Sequence, residues 1–232
     1  MIIEKNDDIF AEILSAMEKI TRFFLLILMM GLNALHAQER MPGFSQQEIP
    51  ESVFVRMRGK SFKAECSTPR SDLRYLRVLH YNKEGKVLEG ELVCHKLIAE
   101  DLLYIFRKLY EAKYPIERMV LVDEYDADDE ASMRANNTSS FNFRRVAGGR
   151  TLSLHSRGMA IDINPRYNPY VRWRKGKRLV SPVNGTAYAD RSKDFPYKIV
   201  KGDLCYRLFK ERGFTWGGDW KNSIDYQQFE KR

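Results

Sequence analysis

Two short segments of this 232-residue chain hold polar side chains at spacings that could support chemistry. The first, residues 153–162, contains His155 and ends at Asp162. The second, residues 216–230, contains Asp225 within a stretch rich in aromatic and amide side chains. Imidazole nitrogen and carboxylate oxygen are common zinc ligands. A His and an Asp at this separation are weak evidence by themselves, because such pairs are frequent by chance.

The elements around the first segment should bring its two ligand-type residues together. Residues 159–164 alternate between apolar and smaller or polar side chains, which predicts a short strand with Asp162 on its polar side. Gly158 permits a tight turn between His155 and that strand. We therefore expect the imidazole and the carboxylate to meet at one end of the strand.

The two segments together resemble the M15 family of zinc peptidases, which act on D-amino-acid-containing cell-wall peptides. That family includes D-alanyl-D-alanine carboxypeptidases, D-Ala-D-Ala dipeptidases and L-alanyl-D-glutamate endopeptidases. Its first motif, Ser-x-His-x-x-Gly-x-Ala-x-Asp, is complete here at Ser153, His155, Gly158, Ala160 and Asp162. Its second motif places an acidic general base three residues before a ligand histidine, and here Asp225 occupies the position of the base. The resemblance covers roughly residues 95–231.

The resemblance implies a zinc-dependent peptidase, with Zn²⁺ held by His155, Asp162 and the residue at the second histidine position. That residue is Gln228. A glutamine carbonyl is a neutral and weak donor, whereas protein zinc sites use Cys, His, Asp or Glu. Only four histidines occur in the chain, and of these only His155 lies in the motif. Glu230 could replace the missing ligand only if its strand were rearranged.

The resemblance also implies catalytic and substrate-binding roles. Asp225 would take a proton from the attacking water and pass it to the leaving amine. Family members hold the substrate carboxylate or oxyanion with an arginine upstream of the first motif, for which Arg144 is our candidate and Arg134 the runner-up. Ser153 would order the turn before the strand or contact substrate. The remaining candidates for substrate binding are aromatic, and packing in the core or at the rim is the favoured alternative for both: Trp216 and Trp220.

Composition limits the class of protein. Aromatic residues make up 12% of the chain. That content excludes a disordered protein, because such chains contain few aromatic side chains. Three cysteines exclude a disulfide scaffold, although one bridge could form among Cys66, Cys94 and Cys205 in an oxidising compartment.

The N-terminal 37 residues have the pattern of an export signal. An apolar run from Phe23 to Leu32 follows Lys19 and Arg22, and is too short to span a bilayer. The alternative is an amphipathic anchor or a buried helix. Met17 would begin a more ordinary signal, so residues 1–16 could reflect the choice of start site. We expect an exported bacterial protein of the periplasm or cell exterior.

The charge of the chain points to an anionic partner. Its formal net charge is +8, from 39 basic and 31 acidic residues. Residues 1–37 contain three of the bases and five of the acids, so removing them leaves 36 and 26, or +10. Peptidoglycan stem peptides fit such a surface. Nucleic acid does not, because no binding module is recognisable. We expect a monomer that meets the membrane only during export.

Hydropathy patterns predict an α+β fold, and the resemblance implies a small central antiparallel sheet with flanking helices, of the hedgehog and DD-peptidase type. We divide the chain into an export signal at 1–37, an N-terminal extension with a β-hairpin at 38–94, and a peptidase-like domain at 95–232. The patterns predict helices at 45–50, 97–112, 127–136 and 203–212, a hairpin of strands 75–81 and 86–94, and strands at 120–122, 140–146 and 159–164. Residues 165–202, which include ten Lys and Arg, should form an irregular functional loop.

Three functions remain open on the sequence. The first is an exported zinc peptidase for D-amino-acid-containing peptidoglycan peptides, acting as a carboxypeptidase or an endopeptidase. The second is a non-catalytic binder of wall peptide or of a partner protein that keeps the peptidase fold, which Gln228 favours. The third is a basic surface-binding module that requires no cleft.

Overall fold

The computed structural model describes residues 17–25, 42–146 and 149–232. Residues 17–25 are helical (α1) and belong to a unit comprising residues 1–42, while residues 43–232 form a second compact unit. Most of the apolar run of the predicted export signal, residues 26–32, lies outside the described residues. No helix in the part of the chain described here is both long enough and apolar enough to cross a bilayer.

The unit of residues 43–232 combines helices with three small antiparallel sheets. Its helices are α2 (Glu51–Met57), α3 (Lys96–Glu111), α4 (Asp129–Arg134) and α5 (Leu204–Glu211). Its strands are β1 (Ser45–Gln47), β2 (Leu73–Tyr81), β3 (Val87–His95), β4 (Ala160–Asp162), β5 (Tyr170–Arg174), β6 (Lys177–Ser181), β7 (Thr215–Trp216), β8 (Ser223–Asp225) and β9 (Gln228–Glu230). The strand orders in the three sheets are β1-β2-β3, β4-β9-β7 and β6-β5-β8.

The first sheet and α3 form the most regular part of the fold. Strands β2 and β3 pair over their full length, from Leu73 opposite His95 to Tyr81 opposite Val87. Apolar residues at helical spacing, including Leu102, Ile105 and Phe106, are almost completely buried on one side of α3. The predicted hairpin and this helix are therefore confirmed, because their hydrophobic patterns are long and regular.

Two further predicted helices are confirmed, and each starts at an aspartate. The side chains of Asp128 and Asp203 accept hydrogen bonds from backbone N–H groups in the first turns of α4 and α5. Gly213, just beyond α5, has a positive φ, a conformation that favours glycine at a helix end.

The prediction of a helix ending at Pro50 is wrong. Residues 45–47 form β1, which pairs with β2. The helix instead begins after Pro50, whose carbonyl accepts the hydrogen bonds of the Val53 and Phe54 amides. Proline is favourable at a helix start because it needs no hydrogen bond for its nitrogen.

The strands predicted at 120–122 and 140–146 are also wrong. The Asn137 side chain bonds both the N–H and the C=O of Val120, at 2.8 and 3.0 Å, and so takes the place of a neighbouring strand. Phe141 and Phe143 donate to the carbonyls of Val93 and Ser61, which belong to different parts of the chain, so no regular ladder forms in this described segment. Buried apolar residues alone did not distinguish these segments from strands.

The segment 165–202 is not irregular throughout. Strands β5 and β6 form a hairpin within it, and β5 also pairs with β8. The three sheets are small, so the single central sheet expected from the resemblance is replaced by three sheets within one α+β unit. All three cysteines have free thiols, and Cys94 and Cys205 are buried.

Candidate active site

The candidate site is built around the pairing of β4 with β9. Asp162 lies directly opposite Gln228 in this antiparallel pair, so both side chains leave the same face of the sheet. Of the predicted strand at 159–164, residues 160–162 form β4. The structure therefore brings the carboxylate of the first motif next to Gln228, the glutamine that replaces the expected histidine of the second motif.

His155 is placed by a short turn immediately before β4. The turn, Leu154–Arg157, is capped by the Ser153 hydroxyl, which accepts from the His155 backbone N–H at 3.3 Å. Gly158 ends it with φ 65°, and its carbonyl accepts a 2.9 Å hydrogen bond from the His95 amide. A Cβ at Gly158 would lie 2.6 Å from that same nitrogen. Only glycine allows this close approach, which fixes the turn against the start of α3.

The His155 ring has one nitrogen satisfied and one left open. Nδ1 lies 2.6 Å from the Ser140 carbonyl, and because a carbonyl can only accept, Nδ1 carries the proton. Nε2 lies 3.3 Å from Asp162 Oδ2 but forms no hydrogen bond with any described residue. Burial lowers the pKa of His155, but the Asp162 carboxylate outweighs it, so the net shift is upward.

Asp225 lies at the end of β8, opposite Tyr170 of β5. It is buried, and its Oδ1 has no hydrogen-bond partner among the described residues. Burial and the negative charge of Asp162 raise the pKa of Asp225 to about 8. The turn at Gly217 packs directly against it, since a Cβ there would lie 2.5 Å from the Asp225 carbonyl oxygen.

These groups border a cavity of about 310 Å³. Its walls come from α4, from the segment before β4 and from strands of the second and third sheets. The predicted site residues that line it are Arg144, Ser153, Asp162, Trp220, Asp225 and Gln228. His155 is 2% exposed and adjoins Asp162 at its wall.

Arg144 is held at the cavity by an ion pair that the sequence did not suggest. Its Nε lies 2.8 Å from Oδ1 of Asp129, the first residue of α4. Burial raises the pKa of Asp129, although Arg144 acts in the opposite direction. The runner-up, Arg134, has an exposed side chain and is not among the residues of the cavity wall.

The two tryptophans differ in position. Trp216 is 5% exposed, donates its indole N–H to the Tyr226 carbonyl at 3.0 Å and stacks on Phe229, which is core packing. Trp220 lines the cavity.

Two further acids line the cavity: Asp129, which the sequence did not indicate, and Glu230, which was considered only as a ligand in a rearranged strand. The Gln228 amide donates to Glu230 Oε2 at 2.7 Å, and Arg232 Nε donates to Oε1 at 3.1 Å. Alternation along β9 places Glu230 on the same face as Gln228, and this spacing of two residues could have indicated its position at the site. No comparable local signal marks Asp129, which lies far before its partner Arg144 in the sequence.

A divalent metal fits two of the positions implied by the resemblance. His155 Nε2 and Asp162 Oδ1 are buried atoms without hydrogen bonds to described residues, and the Ser140 carbonyl fixes the imidazole in the tautomer that metal binding requires. The third position supplies only the amide of Gln228. Across residues 17–25, 42–146 and 149–232, no group of three or more His, Cys, Asp or Glu is arranged to hold a metal.

Comparison with known proteins gives one match. Residues 147–231 match a family model described as D-alanyl-D-alanine carboxypeptidase, an M15 peptidase family. The matched stretch contains both motifs on which the resemblance rests, so the resemblance to M15 peptidases is confirmed over these residues. No curated protein and no solved structure matches the chain.

Proposed function

We propose that this chain, whose residues 147–231 match an M15 peptidase family model, hydrolyses D-amino-acid-containing peptides of peptidoglycan with the help of a bound zinc ion. Membership of a peptidase family supports hydrolysis of a peptide bond in general. The zinc ion and the substrate class are the further steps of the proposal. The observation that carries it is the meeting of His155, Asp162 and Asp225 at one cavity, each with a buried polar atom left unpaired within the described structure.

Unpaired buried polar atoms occur at several places among the described residues, but at this cavity they are grouped on neighbouring ionisable side chains. An unsatisfied buried polar atom costs about 1–3 kcal/mol, and native folds contain few of them. Three such atoms on three neighbouring ionisable residues indicate that a ligand completes the site. His155 and Asp162 would hold Zn²⁺, with the Gln228 carbonyl as a weaker third donor.

The chemistry then divides among a few groups. Zinc, when bound, would supply Lewis-acid polarisation of the scissile carbonyl. Asp225 would accept the proton of the attacking water and return it to the leaving amine. Arg144, kept in place by Asp129, would pair with a substrate carboxylate or with the developing oxyanion.

The proposed location is outside the cytoplasm, because the sequence of residues 19–32 has the pattern of an export signal. The basic character of the chain suits a carboxylate-rich wall polymer. We further propose that the protein acts as a monomer on stem peptides.

The test is hydrolysis by the purified protein. We would incubate it with a panel of muropeptides, with and without added ZnCl₂, and separate the products by liquid chromatography. New amino groups formed only with zinc, and lost in Asp225→Asn, would support the proposal. No cleavage of any muropeptide at saturating zinc would reject it.

A second function has one observation in its favour. The Gln228 side chain occupies the third ligand position and donates its N–H to Glu230, as an ordinary structural amide would. A non-catalytic binder of wall peptide would keep this arrangement and retain zinc poorly. The two functions are separated by measuring zinc content after dialysis and peptidoglycan binding in a chelator. Stoichiometric zinc after dialysis would exclude the binder.

A further inference from the structure

The hairpin of β5 and β6 carries a concentrated positive charge at its tip. Seven consecutive residues, 173–179, are exposed. Four of them are basic, and none is acidic: Arg174, Lys175, Lys177 and Arg178. This part of the chain was expected to be an irregular loop, and its ordered structure gives the charge a fixed position.

The turn at the tip explains why the hairpin is ordered. Lys175 and Gly176, the two residues between the strands, both have positive φ, at 51° and 74°. This combination is typical of a two-residue turn whose twist matches that of the strands it joins. The pairing on either side is continuous from Arg174 opposite Lys177 to Tyr170 opposite Ser181.

Three of the four charges at the tip have no acidic partner within the described structure: Arg174, Lys175 and Lys177. Arg178 donates to the Ala189 carbonyl, and its charge also lowers the pKa of Asp190. Unpaired cations held on a short rigid ribbon keep their field available to an anionic partner. Trp173, 56% exposed, adds an aromatic surface beside them.

The base of the hairpin is part of the candidate active site. Tyr170 lies opposite Asp225 in the sheet, and both Tyr170 and Ser181 line the cavity. The base is fastened by Glu130 of α4, which accepts hydrogen bonds from the Ser181 hydroxyl at 2.7 Å and the Val183 amide at 2.8 Å. Extended strand separates the cavity wall from the tip, over a span of roughly 13 Å.

We propose that this hairpin, Tyr170–Ser181, is a docking arm that binds the anionic peptidoglycan polymer while one of its peptides enters the cavity. The inference rests on the proposed function, because it assumes that the substrate is part of a larger carboxylate-bearing polymer. The arm would increase the local concentration of substrate and would not take part in bond cleavage.

The register of the hairpin favours a polymer over a lipid surface. Trp173 pairs with Arg178 on one face, whereas Leu179 pairs with Arg172 on the other. The exposed apolar side chains of the tip are therefore separated, and cations lie on both faces. Insertion into a bilayer needs one continuous apolar face, which this hairpin does not have.

The test is co-sedimentation with insoluble peptidoglycan in a chelator, so that hydrolysis does not consume the polymer. The variant Arg174→Gln/Lys175→Gln/Lys177→Gln removes three charges from the tip. The control Lys63→Gln/Lys86→Gln/Arg207→Gln removes three charges elsewhere. We expect roughly tenfold weaker binding or more for the tip variant at about 0.1 M salt, and little change for the control.

Hydrolysis of a short soluble peptide separates docking from catalysis. The tip variant should cleave it at the wild-type rate while losing activity on intact peptidoglycan. Equal weakening by both triple variants, or none by the tip variant, would overturn the proposal. Equally tight binding of the wild type to phosphatidylglycerol vesicles would overturn it in favour of a membrane. If the protein cleaves no peptide yet shows the tip-dependent binding, the proposed function fails and the docking arm stands.

Discussion

Two clusters of charged side chains in this molecule differ in how completely their atoms are paired. The arginine cluster lies beside the first sheet. Arg56 donates two hydrogen bonds to Glu91, at 3.0 and 2.5 Å, and two to Glu124, at 3.2 and 2.7 Å. The Tyr75 hydroxyl donates to Glu91 at 2.8 Å. Cation, phenol and carboxylates therefore satisfy one another.

The site cluster, His155, Asp162 and Asp225, is incomplete by the same measure. Each of its members is buried and keeps one polar atom without a hydrogen bond to the described residues. Two of the three are acids, and the negative charge of Asp162 makes ionisation of Asp225 more costly. The pKa of Asp225 rises to about 8 as a result of burial and of Asp162.

The comparison separates a structural role from a functional one. In the arginine cluster, burial acts to raise the pKa of Glu91, but hydrogen bonds from Arg56 and Tyr75 lower it overall. A completed cluster of this kind stabilises the fold and needs no ligand. An incomplete cluster at a cavity reduces stability unless something binds, and such strain is typical of active sites.

The largest effect should follow from changing the proposed base in the site cluster. We expect Asp225→Asn to lower the rate of muropeptide hydrolysis by about 10²- to 10⁴-fold, because an amide cannot accept the proton. The exposed control Asp194→Asn should keep the wild-type rate. Hydrolysis by Asp225→Asn at close to the wild-type rate would show that another group is the base.

The next effect concerns the incomplete ligand set. Gln228→His would place an imidazole opposite Asp162. We expect zinc affinity to rise roughly tenfold to a hundredfold, together with peptidase activity. Competition with a zinc-binding dye measures the affinity. Gln47→His, on the exposed strand β1, is the matched control. Unchanged affinity and activity in Gln228→His would mean that residue 228 does not face the metal.

Breaking the arginine cluster should lower stability moderately and leave the zinc affinity unchanged. Arg56→Met leaves Glu91 partly buried without its cation. Because the pair is partly exposed, we expect this change to lower the free energy of unfolding only modestly, and urea denaturation measures the loss. The more exposed Arg58–Glu51 pair supplies the control. Arg58→Met should lower the free energy of unfolding by a smaller amount. A change in zinc affinity in Arg56→Met would contradict the separation of the two clusters.

The approach of His155 to Asp162 was predictable from the sequence, whereas several of the surrounding elements were not. The geometry of the first motif depends on neighbouring residues, because Gly158 allows the turn and β4 begins two residues later. The long periodic segments, α3 and the β2–β3 hairpin, were predicted for the same reason, because local pattern and final structure agree. The replacement of the expected second histidine by Gln228 was also visible in the sequence.

What could not be predicted depends on contacts between distant residues. The Arg144–Asp129 pair and the Asn137 side chain that bonds Val120 join separate segments of the chain, and no local spacing indicates them. The docking arm contains one local signal, the Lys175-Gly176 turn. Its strands show no clear alternation of apolar and polar residues, because basic residues occur on both of their faces. Its pairing with β8 is again a tertiary contact.

The smallest expected effect is a difference in how the two clusters make the free energy of unfolding depend on pH. Asp225 has a folded-state pKa of about 8, above its ordinary value of 3.8, so the folded protein binds more protons than the unfolded chain between these values. Its contribution must therefore reduce stability as pH rises through this range, by at most about 1.4 kcal/mol per pH unit. Glu91 has the opposite sign, because its pKa is lowered on folding, and its contribution is lost in acid below its ordinary value of 4.5.

Urea denaturation in a chelator at pH 5 and pH 8 tests this difference. Wild-type protein should lose more stability over this interval than Asp225→Asn, which has no carboxyl group to ionise. Glu91→Gln should show the wild-type change between pH 5 and 8, because the lowered pKa of Glu91 keeps this acid ionised in the wild-type protein over that interval. Added zinc should reduce the wild-type loss, since a positive charge beside Asp162 favours ionised Asp225. Identical pH dependence in wild type and Asp225→Asn would mean that the buried acid does not limit stability, and that the site cluster is no more strained than the arginine cluster.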